Sequence, residues 1–271
     1  MNAEESPKKR QAGKVWSETF SVRLIEIDAH ATLAVGALCD YLQEAAGNHA
    51  GAFGVSVASL RERHFTWVLS RLRLRIDRLP AVGERLEVRT WPTGVDRLFA
   101  LRDLEVLDAE GSRIAAAVSA WLILDISARR PVRLQSVFDP PGIGEASRAL
   151  DADIEKLPVL ESFDRETSVI VRLSDLDTNT HANNARIAEW VVEGVGREAW
   201  ESSLIRGLDI DFMAEALHGD TIGSRSRALP EGEYLHSLVR SGDGREIARA
   251  RTVWMPRRGG ILTGSASRWG G

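Results

Sequence analysis

Alternating polar and apolar residues mark the clearest strands of this chain. Residues 71–76 read Arg-Leu-Arg-Leu-Arg-Ile, and residues 85–89 read Arg-Leu-Glu-Val-Arg. Successive side chains of a strand point to opposite faces of its sheet, so each run predicts a strand with one apolar face. Turn-forming residues at 108–111 (Asp-Ala-Glu-Gly) and 241–244 (Ser-Gly-Asp-Gly) predict hairpin connections between further strands.

Two segments instead carry the three-to-four spacing of a helix with one buried face. The first contains Leu38, Leu42 and Ala45, and the second contains Ile187 and Val191. In each half of the chain, strands follow a single long helix without alternating helices. This order is typical of an α+β fold in which the helix covers one face of an antiparallel sheet.

The two halves of the chain repeat each other. Three pairs of segments match in the same order: 28–32 with 177–181, 83–84 with 219–220, and Trp121 with Trp254. The offset between partners falls from 149 to 136 and then to 133. We therefore predict a duplicated fold in which the first half carries about 13 additional residues (149 − 136), placed in the region 51–65.

Composition narrows the class of protein. The 271 residues are 44% hydrophobic, which is enough for one sizeable core or two modest ones. A net charge of −4 argues against general binding of nucleic acid. The single cysteine, Cys39, excludes an intramolecular disulfide and a cysteine-rich zinc site, as expected in a reducing cytoplasm.

No apolar run reaches the roughly 20 residues that a membrane-spanning helix needs. Residues 1–14 are polar and charged and lack the apolar core of a secretory signal, so we expect a disordered tail there. We expect a second flexible tail at 257–271. The histidines show no metal-ligand spacing with carboxylates or cysteine, and we predict neither a metal site nor a cofactor.

The candidate chemistry lies in the second half. Asp177, Asn179 and His181 have a spacing of two, which in an extended segment would point a carboxylate, a carboxamide and an imidazole to the same side. Such a set could orient a histidine and transfer a proton. Alternatively, Asp177 and Asn179 only make turn and cap hydrogen bonds before the helix, and Asn183 or Asn184 is its N-cap.

A fourth group, Glu215, is predicted to lie on the strand after the second helix. Its partner in the first half, at the offset of 136, is Leu79, and the partner of His181 is Thr32. Only the second half therefore carries the complete polar set. A Gly-x-Ser-x-Gly elbow is absent from the sequence, which argues against the triad of an α/β-hydrolase.

Residues 175–184, Asp-Leu-Asp-x-Asn-x-His-x-Asn-Asn, resemble the catalytic segment of the plant and bacterial acyl-acyl-carrier-protein (acyl-ACP) thioesterases. The segments 66–71 (Thr-Trp-Val-Leu-Ser-Arg) and 118–121 (Val-Ser-Ala-Trp) also look like that family, and the resemblance covers most of residues 15–255. It implies a tandem (double) hotdog, each half a curved antiparallel sheet wrapped around one long helix. The tail at 1–14 is too short and too acidic for a plastid transit peptide, so we expect a bacterial cytoplasmic protein.

The resemblance also implies an organisation and an activity. Residues 15–126 would form an N-terminal, acyl-binding hotdog, 127–165 a linker, and 166–256 a C-terminal, catalytic hotdog. The chain would hydrolyse the thioester of acyl-ACP, with acyl carrier protein as its partner and with Asp177, Asn179, His181 and Glu215 as site residues. The family has cysteine after this glutamate, but here Ala216 follows Glu215, which favours direct attack by water over a covalent intermediate.

Several alternatives stay open at this point. An acyl-CoA thioesterase would use the same chemistry, a hydratase fits the residue spacing less well, and a non-catalytic acyl-binding protein is compatible with Ala216. Arg71, Arg73, Arg75 and Arg78 would line one strand face, which could attract an acidic carrier protein or simply face solvent. Both a monomer and a homodimer are compatible with the sequence.

Overall fold

The computed structural model describes residues 14–139 and 146–257. The chain divides into two compact units, Met1–Lys156 (unit 1) and Leu157–Gly271 (unit 2). This division falls within the segment 127–165 that we predicted as a linker. Apart from Lys14 and Arg257, the two predicted tails lie outside the described residues.

Unit 1 is one antiparallel sheet with a long helix on it. Its elements are β1 (Trp16–Ser21), α1 (Val35–Ala52), α2 (Val57–Arg61), β2 (Phe65–Ile76), β3 (Arg85–Asp96), β4 (Phe99–Leu107), β5 (Arg113–Asp125) and β6 (Arg130–Val132). The strands follow the order β1-β3-β4-β5-β2, and the short β6 pairs with β5. Helix α1 packs against β1 and β3.

Strand register explains how the alternating sequence makes two faces in unit 1. Leu72 lies opposite Ser119, which lies opposite Arg102, so all three share one face. Arg102 Nη1 is 3.0 Å from Nδ1 of His49 on α1, which identifies this face as the one beneath the helix. The intervening residues, such as Arg73, point to the opposite, outer face.

Unit 2 repeats this plan. Its elements are β7 (Arg165–Ile170), α3 (Asn184–Val195), α4 (Arg197–Ser202), β8 (Ser203–Phe212), β9 (Thr221–Ala228), β10 (Glu233–Arg240) and β11 (Glu246–Pro256). The strand order β7-β9-β10-β11-β8 corresponds, strand for strand, to that of unit 1. Helix α3 packs against β7, β9 and β10. The order and pairing confirm the predicted tandem hotdog.

The matching elements begin at the predicted offsets. β1 and β7, like α1 and α3, start 149 residues apart, β3 and β9 start 136 apart, and β5 and β11 start 133 apart. The additional residues of unit 1 are less localised than predicted, because α1 has 18 residues and α3 only 12. About half of the insertion therefore extends the helix. The rest lies in the connection that contains α2 and in β2, which has 12 residues where β8 has 10.

Part of the predicted linker is a strap (residues 146–155) on the outer face of unit 1. The Ala149 N–H donates to Asp103 Oδ2 at 2.7 Å, and Arg113 Nη1 donates to the Ala149 carbonyl at 3.0 Å. Arg71 donates to the carbonyl of Ile154, and Arg73 donates to that of Asp153 at 3.2 Å.

This strap corrects the interpretation of the arginine-rich strand. Arg73 is only 2% exposed, because the strap covers it. Arg78 pairs with Glu84 at 2.8 Å and with Asp108 at 3.2 Å. The prediction of an open positive or solvated face was therefore wrong for Arg71 and Arg73, since their guanidinium groups are bound by main-chain carbonyls.

None of the helices in the described ranges is long and apolar enough to cross a membrane.

Candidate active site

A tight loop, here called the histidine loop (residues 175–183), connects β7 to α3. Asp177 Oδ1 accepts the main-chain N–H groups of Asn179 at 2.7 Å and of His181 at 3.2 Å. The Asp177 N–H donates to the His181 carbonyl at 2.8 Å, and Thr180 has a φ of 63°. The expectation of an extended segment was wrong, because a carboxylate that accepts nearby N–H groups folds the chain into a turn.

Unit 1 contains the same loop, with Thr32 at the position of His181. Asp28 Oδ1 accepts the N–H groups of His30 at 2.9 Å and of Thr32 at 3.4 Å, and Ala31 has a φ of 59°. The Asp28 N–H donates to the Thr32 carbonyl at 2.8 Å. Since both units make these bonds, the hydrogen bonds of Asp177 belong to the fold of the loop. They hold the main chain that carries His181 rather than its ring.

Glu215 lies on a second loop, the glutamate loop (residues 213–220). β8 ends at Phe212, so the prediction that Glu215 lies on a strand was wrong. The Ala182 N–H donates to the Ala216 carbonyl at 2.9 Å, and His181 forms an antiparallel bridge with Leu217. These main-chain contacts bring the histidine loop and the glutamate loop together.

The two loops place an imidazole beside a carboxylate, as the sequence predicted. His181 Nε2 lies 3.4 Å from Glu215 Oε2. The His181 side chain is 31% exposed and that of Glu215 is 65% exposed, so water has access to the pair. In unit 1 the matching positions hold Thr32 and Leu79, which cannot exchange a proton near neutral pH. The acid–base pair therefore distinguishes the two units.

The two asparagines near the pair have different environments. Asn179 Nδ2 donates to Asp177 Oδ2 at 3.0 Å, which orients the carboxamide. Asn183 is the N-cap of α3, and its side chain accepts the Ala185 N–H at 2.9 Å, as the capping alternative predicted. The Asn183 N–H donates to the Asp175 carbonyl at 2.8 Å. The N–H groups of Asn183 and Ala185 are thus already engaged in hydrogen bonds within the loop and the helix cap.

One residue of the site was missed by sequence reasoning. Arg240, the last residue of β10, donates from Nη1 to the Glu215 carbonyl at 3.1 Å. Its Nε and Nη2 donate to Asp243 at 3.0 and 2.7 Å. The ion pair could have been anticipated from an arginine three residues before an aspartate in a turn. The contact with Glu215, 25 residues away, has no signal in the local sequence.

Ala216 follows Glu215 but has a different environment. Its side chain is 1% exposed, and its carbonyl is bound by the Ala182 N–H. Glu215 points towards solvent while position 216 is buried. Within residues 14–139 and 146–257, no group of three or more His, Cys, Asp or Glu side chains could hold a metal ion.

Comparison with known proteins agrees with this architecture. Residues 13–138 match the family model described as the acyl-ACP thioesterase N-terminal domain, and residues 161–256 match the acyl-ACP thioesterase C-terminal domain. An acyl-[acyl-carrier-protein] hydrolase of Cuphea viscosissima is 28% identical over 93% of the chain. The chain spans 65% of the length of that relative.

Solved structures give the same result. A crystal structure of an acyl-ACP thioesterase from Bacteroides thetaiotaomicron is 26% identical, with a TM-score of 0.77 over 89% of this chain and 98% of that one. The 12:0-ACP thioesterase from Umbellularia californica is 25% identical, with a TM-score of 0.78 over 90% of this chain and 98% of that one.

Proposed function

Because the chain belongs to the acyl-ACP thioesterase family, we propose that it hydrolyses the thioester of fatty acyl-ACP and releases free fatty acid. One observation carries the proposal beyond family membership. In unit 2, His181 Nε2 and Glu215 Oε2 lie 3.4 Å apart, and both side chains are accessible to water.

In the proposed reaction, a water molecule beside the pair attacks the thioester carbonyl carbon. Glu215, with His181 beside it, takes the proton of this water as the new carbon–oxygen bond forms. The carbonyl π electrons move to oxygen and return when the carbon–sulfur bond breaks. The proton held by the pair then passes to the departing thiolate, so the products are a fatty acid and the carrier thiol.

In this scheme, the remaining site residues position the reacting groups. Asn179 is oriented by Asp177 and is placed to hold the attacking water or the thioester carbonyl. Asp177 fixes the histidine loop through main-chain hydrogen bonds. With alanine at 216 and no other cysteine than Cys39, the reaction proceeds without a thiol nucleophile next to Glu215.

The proposal extends to the roles of the two units. Unit 2 is the catalytic half, and unit 1, which lacks the acid–base pair, is the acyl-binding half. The partner is acyl carrier protein, a homodimer is one candidate assembly, and a bacterial cytoplasm is the expected location. Family membership supports acyl carrier protein as the partner. The cytoplasmic location stays a prediction from the single cysteine, and the assembly stays a prediction as well.

Release of free fatty acid from a panel of acyl-ACPs, with chains of eight to eighteen carbons, tests the proposal. We expect turnover by the wild type and a kcat that falls about 10²–10⁴-fold in His181→Ala and in Glu215→Gln, the range that general acid–base catalysis contributes. His218→Ala is the matched control, because His218 is exposed and lies on the glutamate loop with Glu215. It should leave kcat unchanged.

Each alternative gives a different outcome in this experiment. Release from acyl-CoA but not from acyl-ACP would identify the other carrier. Binding of acyl chains without release by the wild type would identify a non-catalytic protein. Full activity in Glu215→Gln would overturn the assignment of the base, while the family assignment would stand.

A further inference from the structure

Glu215 has an exposed side chain on a loop, yet a general base needs a fixed position. The glutamate loop is held at its start by the Met213 N–H, which donates to the Ile247 carbonyl at 2.9 Å. Near its end, Asp220 Oδ2 accepts the Leu217 N–H at 2.8 Å. Between these anchors, the Ala216 carbonyl accepts a main-chain N–H, and the Glu215 carbonyl accepts a bond from Arg240.

The guanidinium of Arg240 is itself rigidly held. Asp243 binds it through two parallel bonds, Nε to Oδ1 at 3.0 Å and Nη2 to Oδ2 at 2.7 Å. This bidentate geometry fixes the plane of the guanidinium. Nη1 then points at the Glu215 carbonyl at 3.1 Å and at Asp220 Oδ2 at 3.5 Å. The Arg240 side chain is only 18% exposed, so water competes weakly for these bonds.

Electrostatics support the same arrangement. The Arg240 guanidinium lowers the pKa of the Asp243 carboxyl to about 2, and Asp243 raises the pKa of Arg240. The pair therefore stays charged over the whole pH range in which a thioesterase would be assayed. Its hold on the glutamate loop does not depend on pH.

Unit 1 provides an internal comparison. Glu84 Oε1 accepts the Ala81 N–H at 2.7 Å, as Asp220 does for Leu217 in unit 2. Arg78 pairs with Glu84 and Asp108, so this loop also has an arginine joining two carboxylates. Each unit thus has an arginine brace, but at different positions of the repeat, since the partner of Arg78 at the offset of 136 is Ala214. Only the brace of unit 2 binds the main chain of Glu215.

We propose that Arg240, held by Asp243, is a positioning residue that fixes the main chain of Glu215 and thereby keeps its carboxylate beside His181. This inference rests on the proposed function of Glu215 as the base. It assigns to Arg240 no contact with substrate. Loss of the brace should therefore reduce the rate of the chemical step rather than the binding of acyl-ACP.

The test compares Arg240→Gln and Arg240→Lys with Arg78→Gln, which removes the arginine that joins two carboxylates in unit 1. We expect Arg240→Gln to lower kcat by up to about 10²-fold with little change in KM, because small displacements of a catalytic group cost that much. Arg240→Lys should recover part of the rate, since its ammonium can reach one partner but cannot form the planar bidentate pair. Arg78→Gln should leave kcat unchanged.

A double mutant separates positioning from a general loss of structure. If Arg240 acts through Glu215, Arg240→Gln should cause no further loss of kcat in the Glu215→Gln background. Multiplicative losses, or equal losses in Arg240→Gln and Arg78→Gln, would overturn the proposal. Should Arg240→Gln unfold, Asp243→Asn loosens the same guanidinium without removing it and should give a smaller loss of kcat. Full activity of Glu215→Gln alone would instead refute the proposed base.

Discussion

Asp28 and Asp177 make the same main-chain hydrogen bonds, although only Asp177 lies near an acid–base pair. Comparison of the two units therefore separates two possible roles of Asp177, holding the turn and acting electrostatically on His181. Holding the turn requires an oxygen acceptor at this position in both units. Acting electrostatically on the His181 ring would require the negative charge itself.

Substitution of Asp177 distinguishes these roles. Asp177→Asn keeps one oxygen acceptor for the turn, so the protein should stay folded. Its amide nitrogen replaces the Oδ2 that accepts the Asn179 carboxamide, so kcat should fall as Asn179 loses its orientation. Asp177→Ala leaves two N–H groups without their partner and should lower the free energy of unfolding by about 1–3 kcal/mol, with a loss of activity. Asp28→Ala is the matched control for stability. Urea unfolding and kcat measure both effects. A loss of kcat in a stably folded Asp177→Asn that is much larger than the loss in Asn179→Ala would show that the charge itself takes part in the reaction.

The sequence predicted which residues come together better than it predicted their geometry. The comparison between the two halves singled out His181 and Glu215, because the matching positions of the first half hold Thr32 and Leu79. Their roles in the reaction stay predictions. The turn at Asp177 was predicted only as the alternative, because the spacing of the polar residues was interpreted first as that of a strand. The side-chain bonds of Asp177 to the main chain compete with extended structure.

At the level of elements, the spacing of apolar residues and the turn-forming residues predicted the helices and most strands, since these depend on local sequence. Glu215 was assigned to a strand because the residues that hold the glutamate loop are distant from it in the chain. Ile247 and Arg240 bind its main chain from other strands, and no pattern within 213–220 encodes those partners. Tertiary contacts of this kind are also why the strap was predicted as a plain linker.

Helix α3 rests on a polar layer that local patterns do not reveal. Ser224 and Ser226 donate to the carbonyls of Trp190 and Gly194, each at 2.7 Å. His236 is fully buried beside them, with Nε2 2.8 Å from Thr252 Oγ1. Burial lowers the pKa of His236 to about 3. The imidazole is therefore neutral in the folded protein at any pH above that value.

This burial predicts acid sensitivity of unit 2. Between pH 6.5 and pH 3 the unfolded chain protonates His236 while the folded chain does not, so stability falls as the pH drops through this window. At pH 5 the loss from this residue should be about 2 kcal/mol. Urea unfolding at pH 7 and pH 5 should show a smaller difference for His236→Gln than for the wild type. His218→Gln, a change at an exposed histidine, should behave as the wild type, and an equal pH dependence in all three would contradict the prediction.

At the scale of the whole molecule, the segment between the repeats is anchored. Asp103 is fully buried, and its carboxylate accepts three hydrogen bonds. The donors are Thr93 Oγ1 at 3.1 Å, the Ala149 N–H at 2.7 Å and Arg148 Nε at 3.0 Å. A buried carboxylate with these partners fixes the strap to the outer face of unit 1. In unit 2, the Leu157 N–H donates to Asp211 Oδ2 at 2.8 Å.

Removal of the buried carboxylate should release the strap. We expect tryptic cleavage at Arg148 to be at least about tenfold faster in Asp103→Ala, which corresponds to about 1.4 kcal/mol of local opening free energy. Asp125→Ala is the matched control, because its carboxylate caps an exposed turn at Ala128. Mass spectrometry of the fragments identifies the site. Equal cleavage rates in the two variants would show that other contacts, such as those of Arg73, hold the strap alone.

The duplicated loop has a consequence for how activity could be gained or lost. The fold needs the aspartate turn and the main-chain bridge, and unit 1 shows that it forms with threonine and leucine at the positions of His181 and Glu215. In the proposed function, the chemistry therefore depends on two positions at which the fold accepts other residues. His181→Thr with Glu215→Leu would place the residues of unit 1 at these two positions. The variant should fold, as urea unfolding would show, but release no fatty acid from acyl-ACP. Under the proposed function, these two positions therefore decide between hydrolysing an acyl group and only binding it.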